Sequence, residues 1–309
     1  MILPPVNANR NPFIYLNNMG KVMTSGAAAA ARAIAAAATF ALGSPAQAES
    51  GGWAESAHAK VRLVAAVPAT GTAGRVQLGL EIALEPGWKT YWRSPGEGGM
   101  PPRFDWQGSV NLAELSVAWP APQRFEIGGM ESVGYSDRVI LPLDAKLARP
   151  GAPLAVKLAL RYAVCREICM LVEANLALDM PAAAPQAEAR SAHAEDIARF
   201  QARVPRPGAA HGWRIAGISR KTVGEGAARR ELIVIDVAND GAPFAAPALL
   251  LECPGIRFGK AVLKVSAGAG PARFVAPMER IGAGDAAGDL VLTLVDGERA
   301  GTFTAAVPR

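Results

Sequence analysis

From Leu154 to Met180 the chain alternates with a period of two. Leu154, Val156, Leu158, Leu160, Tyr162 and Val164 are separated by Ala155, Lys157, Ala159, Arg161 and Ala163, and Val172, Ala174, Leu176 and Leu178 by Glu173, Asn175 and Ala177. Such alternation sends one row of side chains into a core and the other toward solvent, so the stretch predicts two half-buried strands paired across a short turn. Further strand runs lie at Val61 to Val67, at Val76, Leu78, Leu80, Ile82 and Leu84, and at Val139 to Leu143. Between them, Pro86-Gly-Trp-Lys-Thr-Tyr-Trp-Arg-Ser-Pro-Gly96 and the residues up to Trp106 carry too much Pro and Gly for a long helix. Many short strands with turn signals between them predict an antiparallel sandwich over residues 49–180.

After Met180 the pattern changes. Pro181-Ala-Ala-Ala-Pro185 reads as a linker, and Glu188 to Val204 has helical composition, with Ile197 and Phe200 on one side, before Pro205-Arg-Pro207 stops it. Strand signals resume after Gly208, at Trp213 to Ser219, Leu232 to Val237, Phe258 to Val265 and Leu290 to Val295. The expected class is therefore all-β: a sandwich, a linker with a short helix over residues 181–207, and a second, smaller β-sandwich domain over residues 208–309.

The first 48 residues fit neither domain. They hold Arg10, Lys21 and Arg32, no acid, an alanine-rich stretch from Ala33 to Leu42, and Ala46-Gln47-Ala48 ahead of Glu49. This is the pattern of a signal peptide cleaved after Ala48, with translation starting at Met1, Met19 or Met23. Arg32 interrupts the apolar run, which is too short for the roughly 20 residues of a membrane anchor. Removing three positive charges lowers the formal net charge from +5 to +2, and no Lys/Arg cluster remains to suggest a nucleic-acid or anionic-membrane footprint. The mature chain is expected to be secreted, globular and not inserted in a membrane.

An oxidising compartment directs attention to Cys165-Arg-Glu-Ile-Cys169, in the predicted turn. Two residues four apart on a regular strand are about 13 Å apart, whereas a disulfide needs Cα atoms within roughly 7 Å. The pair can bridge only where the chain curls. A loop this short restrains little unfolded-chain entropy, so a reversible redox role suits the pair better than a staple, although a structural disulfide stays open. Two thiolates with the thioether of Met170 next door would also suit Cu(I), while zinc lacks a second pair of ligands, since His58, His193 and His211 are distant in sequence. Cys253, beside an apolar stretch, reads as a small core residue. Trp88, Tyr91, Trp92, Trp106 and Trp119 read as core and corner packing, or as a wall of the thiol site. Gly128-Gly-Met130 and Gly134-Tyr135 read as a mobile loop, or as an ordinary surface turn. No Ser/His/Asp triad or phosphate loop is present.

Pro86-Gly-Trp-Lys-Thr-Tyr-Trp-Arg93, Ser94-Pro-Gly96, Pro101-Pro102, Trp119-Pro-Ala-Pro122, Gly134-Tyr135, Leu141-Pro142 and Tyr162-Ala-Val-Cys165 through Cys169 occur in an order that resembles the periplasmic N-terminal domain of the thiol:disulfide interchange family DsbD, and more closely its copper-tolerance relative ScsB. The resemblance runs from about Trp53 to Met180 and, more weakly, past Gly208. It implies an immunoglobulin-like sandwich, working without a cofactor, whose cysteine pair passes electrons to thioredoxin-like periplasmic proteins such as disulfide isomerases or cytochrome c maturation thioredoxins. By position, Cys169 would attack and Cys165 resolve. A cap loop would span Phe125 to Val133, with Phe125, Ile127 and Met130 as lid residues and Tyr91, Trp92 and Tyr135 lining the site. Leu171 stands where the family usually has proline. The chain ends at Arg309 without the family's membrane and thioredoxin domains, so a stand-alone periplasmic protein served by a separate membrane-embedded reductant is expected.

Overall fold

The computed structural model describes residues 49–182, 190–240, 243–265, 271–281 and 288–308. The targeting segment expected over residues 1–48 and the centre of the linker, 183–189, lie outside them. Strands β1 (Ala54–Ser56), β2 (Ala59–Ala65), β3 (Arg75–Leu84), β4 (Lys89–Gly96), β5 (Arg103–Asp105) and β6 (Leu112–Val117) come first. They are followed by β7 (Gln123–Ile127), β8 (Met130–Ser136), β9 (Arg138–Leu147), β10 (Leu154–Cys165) and β11 (Cys169–Met180). One sheet has the order β1-β2-β3-β9-β6; the other runs β11-β10-β4-β8-β7, with β5 also on β10.

The alternation read from the sequence sets how these sheets face each other. Leu154, Val156, Leu158, Leu160, Tyr162 and Val164 of β10 are all buried, and they share one core with Leu63, Leu78, Leu80, Leu141 and Leu143 of the opposite sheet. Each such side chain contributes about 1.5–3 kcal/mol by leaving water. Strand β9 is buried on both faces, because helix α1 (Ala194–Ala202) lies against it. Ile197 and Phe200, three apart and so on one helical face, join the core, while Asp196 meets Arg138 of β9 at 2.6 Å.

The remaining strands are β12 (Arg206–Pro207), β13 (Trp213–Val223), β14 (Arg230–Asn239), β15 (Ala248–Glu252) and β16 (Ile256–Phe258), then β17 (Val262–Val265), β18 (Ala272–Arg280), β19 (Leu290–Asp296) and β20 (Arg299–Ala305). They make two sheets, β12-β20-β19-β15 and β13-β14-β18-β16, with β17 also on β18. Trp213, Ile235, Phe274, Leu292 and Leu294 centre a second core. The molecule is all-β with immunoglobulin-like sandwiches, as the pattern predicts.

Two local expectations change. The run expected from Phe258 to Val265 is broken into β16 and β17 by Gly259-Lys260-Ala261. The mobile loop expected around Gly128-Gly129-Met130 is instead the turn of a hairpin, β7–β8, with Ile127 opposite Met130. Gly128 and Gly129 have φ of 59° and 80°, the positive pair that a two-residue type I′ turn requires and that glycine adopts without strain. The sandwiches pack as one unit. Successive residues of β15 point to opposite sides, so Leu249 enters the second core and Leu250 the first. Among the described residues, no helix is long and apolar enough to cross a membrane.

Candidate functional site

β10 and β11 pair in register from Leu154 opposite Met180 to Cys165 opposite Cys169, leaving Arg166, Glu167 and Ile168 to turn the chain. The hairpin supplies the curl that a Cys165–Cys169 bond demands. The Cα atoms are 4.2 Å apart and the sulfurs form a disulfide. Directly opposed residues of the closer antiparallel class sit at about 4.5 Å, so register alone brings the thiols together.

The two sulfurs have different surroundings. Cys165 is 0% exposed. Cys169 is exposed at the hairpin tip, flanked by Ile168 (68% exposed) and Leu171 (60%). Parity along the strands explains what covers Cys165. Tyr162, Val164 and Val172 point into the sandwich, which puts Ala163, Cys165 and Cys169 on the outer face of the sheet. On β4 the same rule sends Trp92 into the core and its neighbour Tyr91 outward. Tyr91 Oη lies 2.8 Å from Cys165 Sγ and 3.1 Å from Cys169 Sγ. Disulfide sulfurs carry no proton, so the phenol donates.

Tyr91, Ile127, Ala163 and Cys165 form an apolar cluster of their own, with Phe125 and Met100 at its margin. The ring of Tyr91 is held against the backbone at Gly99, whose φ is 136°; a Cβ there would stand 2.3 Å from Cε1 of the ring. Only glycine permits that contact. Thr90 donates to the Ala163 carbonyl at 2.9 Å and so ties β4 to β10. Lys89 Nζ lies 5.5 Å from the centroid of the Phe125 ring, which puts a positive charge on the cover of the site. Burial, opposed by the Ser132 hydroxyl, pushes the Tyr91 phenol above its ordinary value, so it keeps its proton through the neutral range and remains a donor.

Of the residues singled out in the sequence, Cys165, Cys169, Tyr91, Phe125 and Ile127 converge. Trp92 and Tyr135 sit instead in the main sandwich core, Tyr135 donating its hydroxyl to the Pro120 carbonyl at 2.8 Å. Met130 is 48% exposed and lies over Gly98. Met170 packs against the sandwich core, on the face of the hairpin opposite to the sulfurs, so Cys165, Cys169 and Met170 do not converge as a ligand set. No group of three or more His, Cys, Asp or Glu is placed to hold a metal ion among the described residues. Cys253 is a buried free thiol, pushed up in pKa first by burial and then by Asp289. Thr90, Gly99, Met100 and Ala163 escaped the sequence reading; Ala163 occupies a nominally outward position, and nothing nearby in sequence announces that the β7–β8 hairpin covers it.

A disulfide held at the tip of a sandwich hairpin, one sulfur open and one enclosed, defines the class of domain. Residues 60–181 match the family model described as thiol:disulfide interchange protein DsbD, N-terminal, and this segment is similar to the domains of that family. The N-terminal periplasmic domain of ScsB from Proteus mirabilis superposes with a TM-score of 0.63 at 24% identity, covering 84% of this chain and 99% of that one. This is a likeness of fold that extends well beyond the family-matched segment. A conserved domain protein from Bacillus anthracis aligns at 9% identity and a TM-score of 0.21, over 79% of this chain and 75% of that one, and carries no argument. No curated protein matches the chain.

Proposed function

We propose that residues 49–180 form a thiol–disulfide exchange centre working in the periplasm, with Cys169 as the attacking and Cys165 as the resolving thiol. The observation that carries the reading is the asymmetry of the pair: Cys169 exposed, Cys165 enclosed, and one phenol within hydrogen-bond reach of both. In the reduced protein, the Cys169 thiolate attacks one sulfur of a partner disulfide, and the partner's other sulfur leaves as a thiolate and takes up a proton. Cys165, once deprotonated, attacks Cys169 Sγ and expels the partner's remaining sulfur, so two electrons pass to the partner and the Cys165–Cys169 disulfide forms. A reducing dithiol runs the same steps backward, attacking the open sulfur of Cys169. Tyr91 then donates to the leaving Cys165 thiolate, which would otherwise be stranded in an apolar cluster that raises thiol pKa.

Partners of thioredoxin type and a separate membrane-embedded reductant follow from the family resemblance. An exposed hairpin tip that presents a single sulfur beside two exposed aliphatic residues, Ile168 and Leu171, is suited to meeting them. The test is trapping. Cys165→Ser should form a mixed disulfide with an oxidised thioredoxin-fold protein, released by dithiothreitol, whereas Cys169→Ser should not. Failure of both variants to trap would remove the proposal, and trapping by Cys169→Ser alone would reverse the roles.

A further inference from the structure

The β7–β8 hairpin has two working faces. Phe125 and Ile127 close over Cys165 on one of them. Arg124 and Glu131 occupy the other, since their cross-strand partners, Val133 and Glu126, alternate with the pairs Phe125–Ser132 and Ile127–Met130. The two charged side chains are only 19% and 15% exposed and form an ion pair diagonally across the hairpin. Each also reaches the second sandwich. Arg124 Nη2 donates to the Leu249 carbonyl of β15, and Lys260 Nζ lies 3.2 Å from the Glu131 carboxylate. Strand β15 also places Leu250 in the first core, and its Glu252 accepts two hydrogen bonds from Arg93 of β4, at 3.0 and 2.8 Å.

Little else fixes the hairpin from that side. β7 is the edge strand of its sheet and is joined to it only through β8. A cleft of about 470 Å³ opens along the seam beside Arg124 and Glu131. β8 is tied to β4 and to the main core through Val133 and Tyr135, so it is the β7 side of the hairpin, toward the second sandwich, whose hold rests on a few charged contacts.

We infer that the second sandwich braces the cap hairpin, with Arg124 as the positioning residue that, through the Leu249 carbonyl, keeps Phe125 and Ile127 closed over Cys165 and so sets the rate at which the disulfide reacts. The inference rests on the reading of this pair as an exchange centre and gives the second sandwich a task within it. When the hairpin loosens, water reaches the Cys165 sulfur and its leaving thiolate is better solvated. Losing one charge-assisted hydrogen bond shifts a closing equilibrium by about tenfold or more.

The test uses the oxidised full chain, measuring the rate of disulfide reduction by dithiothreitol and the hydrogen exchange of amides 123–136. Arg124→Met is expected to raise the rate about tenfold and to speed exchange across the hairpin. Lys260→Ala, which removes an exposed partner, should raise the rate by about two- to threefold. Arg138→Met, on β9 of the other sheet, breaks ion pairs to Glu81 of β3 and Asp196 of α1 and should leave the rate unchanged, separating bracing from general loosening. The brace is refuted if Arg124→Met alters rate and amide exchange by no more than Arg138→Met does, or, where Arg124→Met does not fold, if Lys260→Ala reacts as the wild type. Dithiothreitol needs no protein partner, so the brace can fail while exchange with partners stands; a failure of trapping with normal Arg124 effects would instead remove the exchange reading alone.

Discussion

Replacing Tyr91 by Phe deletes one oxygen, 2.8 Å from Cys165 Sγ and 3.1 Å from Cys169 Sγ, and leaves the ring that packs on Gly99. In the reduced protein the same phenol is placed to donate to a thiolate. A hydrogen bond to a charged group is worth about 1.5–3 kcal/mol, and at 1.36 kcal/mol per unit its loss raises the thiol pKa by about one to two units. The thiolate fraction at neutral pH then falls by about ten- to a hundredfold. A more basic thiolate is a better nucleophile, with a Brønsted slope of about 0.4–0.5, which recovers nearly half of that loss on a logarithmic scale. Attack by Cys169 should slow by about three- to tenfold. The assay is alkylation of Cys169 by iodoacetamide in the Cys165→Ser background across pH, which reads the pKa directly, together with the rate of attack on oxidised glutathione at pH 7. An unchanged pKa and an unchanged rate would refute the role given to the phenol.

Two further outcomes follow from the charged and sulfur groups outside the site. The Arg138 guanidinium holds the Asp196 carboxyl below its ordinary range, and Arg273 does the same for Asp236. A carboxyl whose folded pKa is depressed contributes stability above its unfolded value of about 3.9 and loses it as pH falls toward the folded value; urea midpoints should therefore drop below about pH 4, and less steeply in Asp196→Asn, whereas an equal slope in that variant would contradict the assignment. Cys253→Ala removes a small buried group remote in sequence from the disulfide hairpin, so urea denaturation should show a loss of about 1 kcal/mol, with trapping through Cys169 unaltered; lost trapping would assign Cys253 a part in exchange.

The sequence is most readable where a strand has one wet face. β10 and β11 follow their alternation residue by residue as far as Tyr162, and the register of their pairing puts Cys165 opposite Cys169. The reading fails where a second layer covers the outer face. Ala163 looks solvent-facing, but it lies under Tyr91 and Ile127. β15 shows no period at all, because Leu249 and Leu250 are buried in different cores. Pro277 argues against the strand β18 that contains it. In the Trp88 to Arg93 stretch, the family resemblance implies that both Tyr91 and Trp92 line the site, whereas strand parity separates them. Gly128-Gly129 is a two-residue hairpin signal, and the β7–β8 hairpin it closes is the element that covers Cys165. No local pattern could reveal the Arg93–Glu252 contact, whose partners stand 159 residues apart.

The most direct test of the exchange centre is the equilibrium reduction potential of the Cys165–Cys169 pair, measured by thiol trapping against glutathione and dithiothreitol buffers. A value between about −120 and −270 mV, the range of proteins that exchange disulfides, is the result expected. A value below about −300 mV would mark the bond as structural and contradict the account.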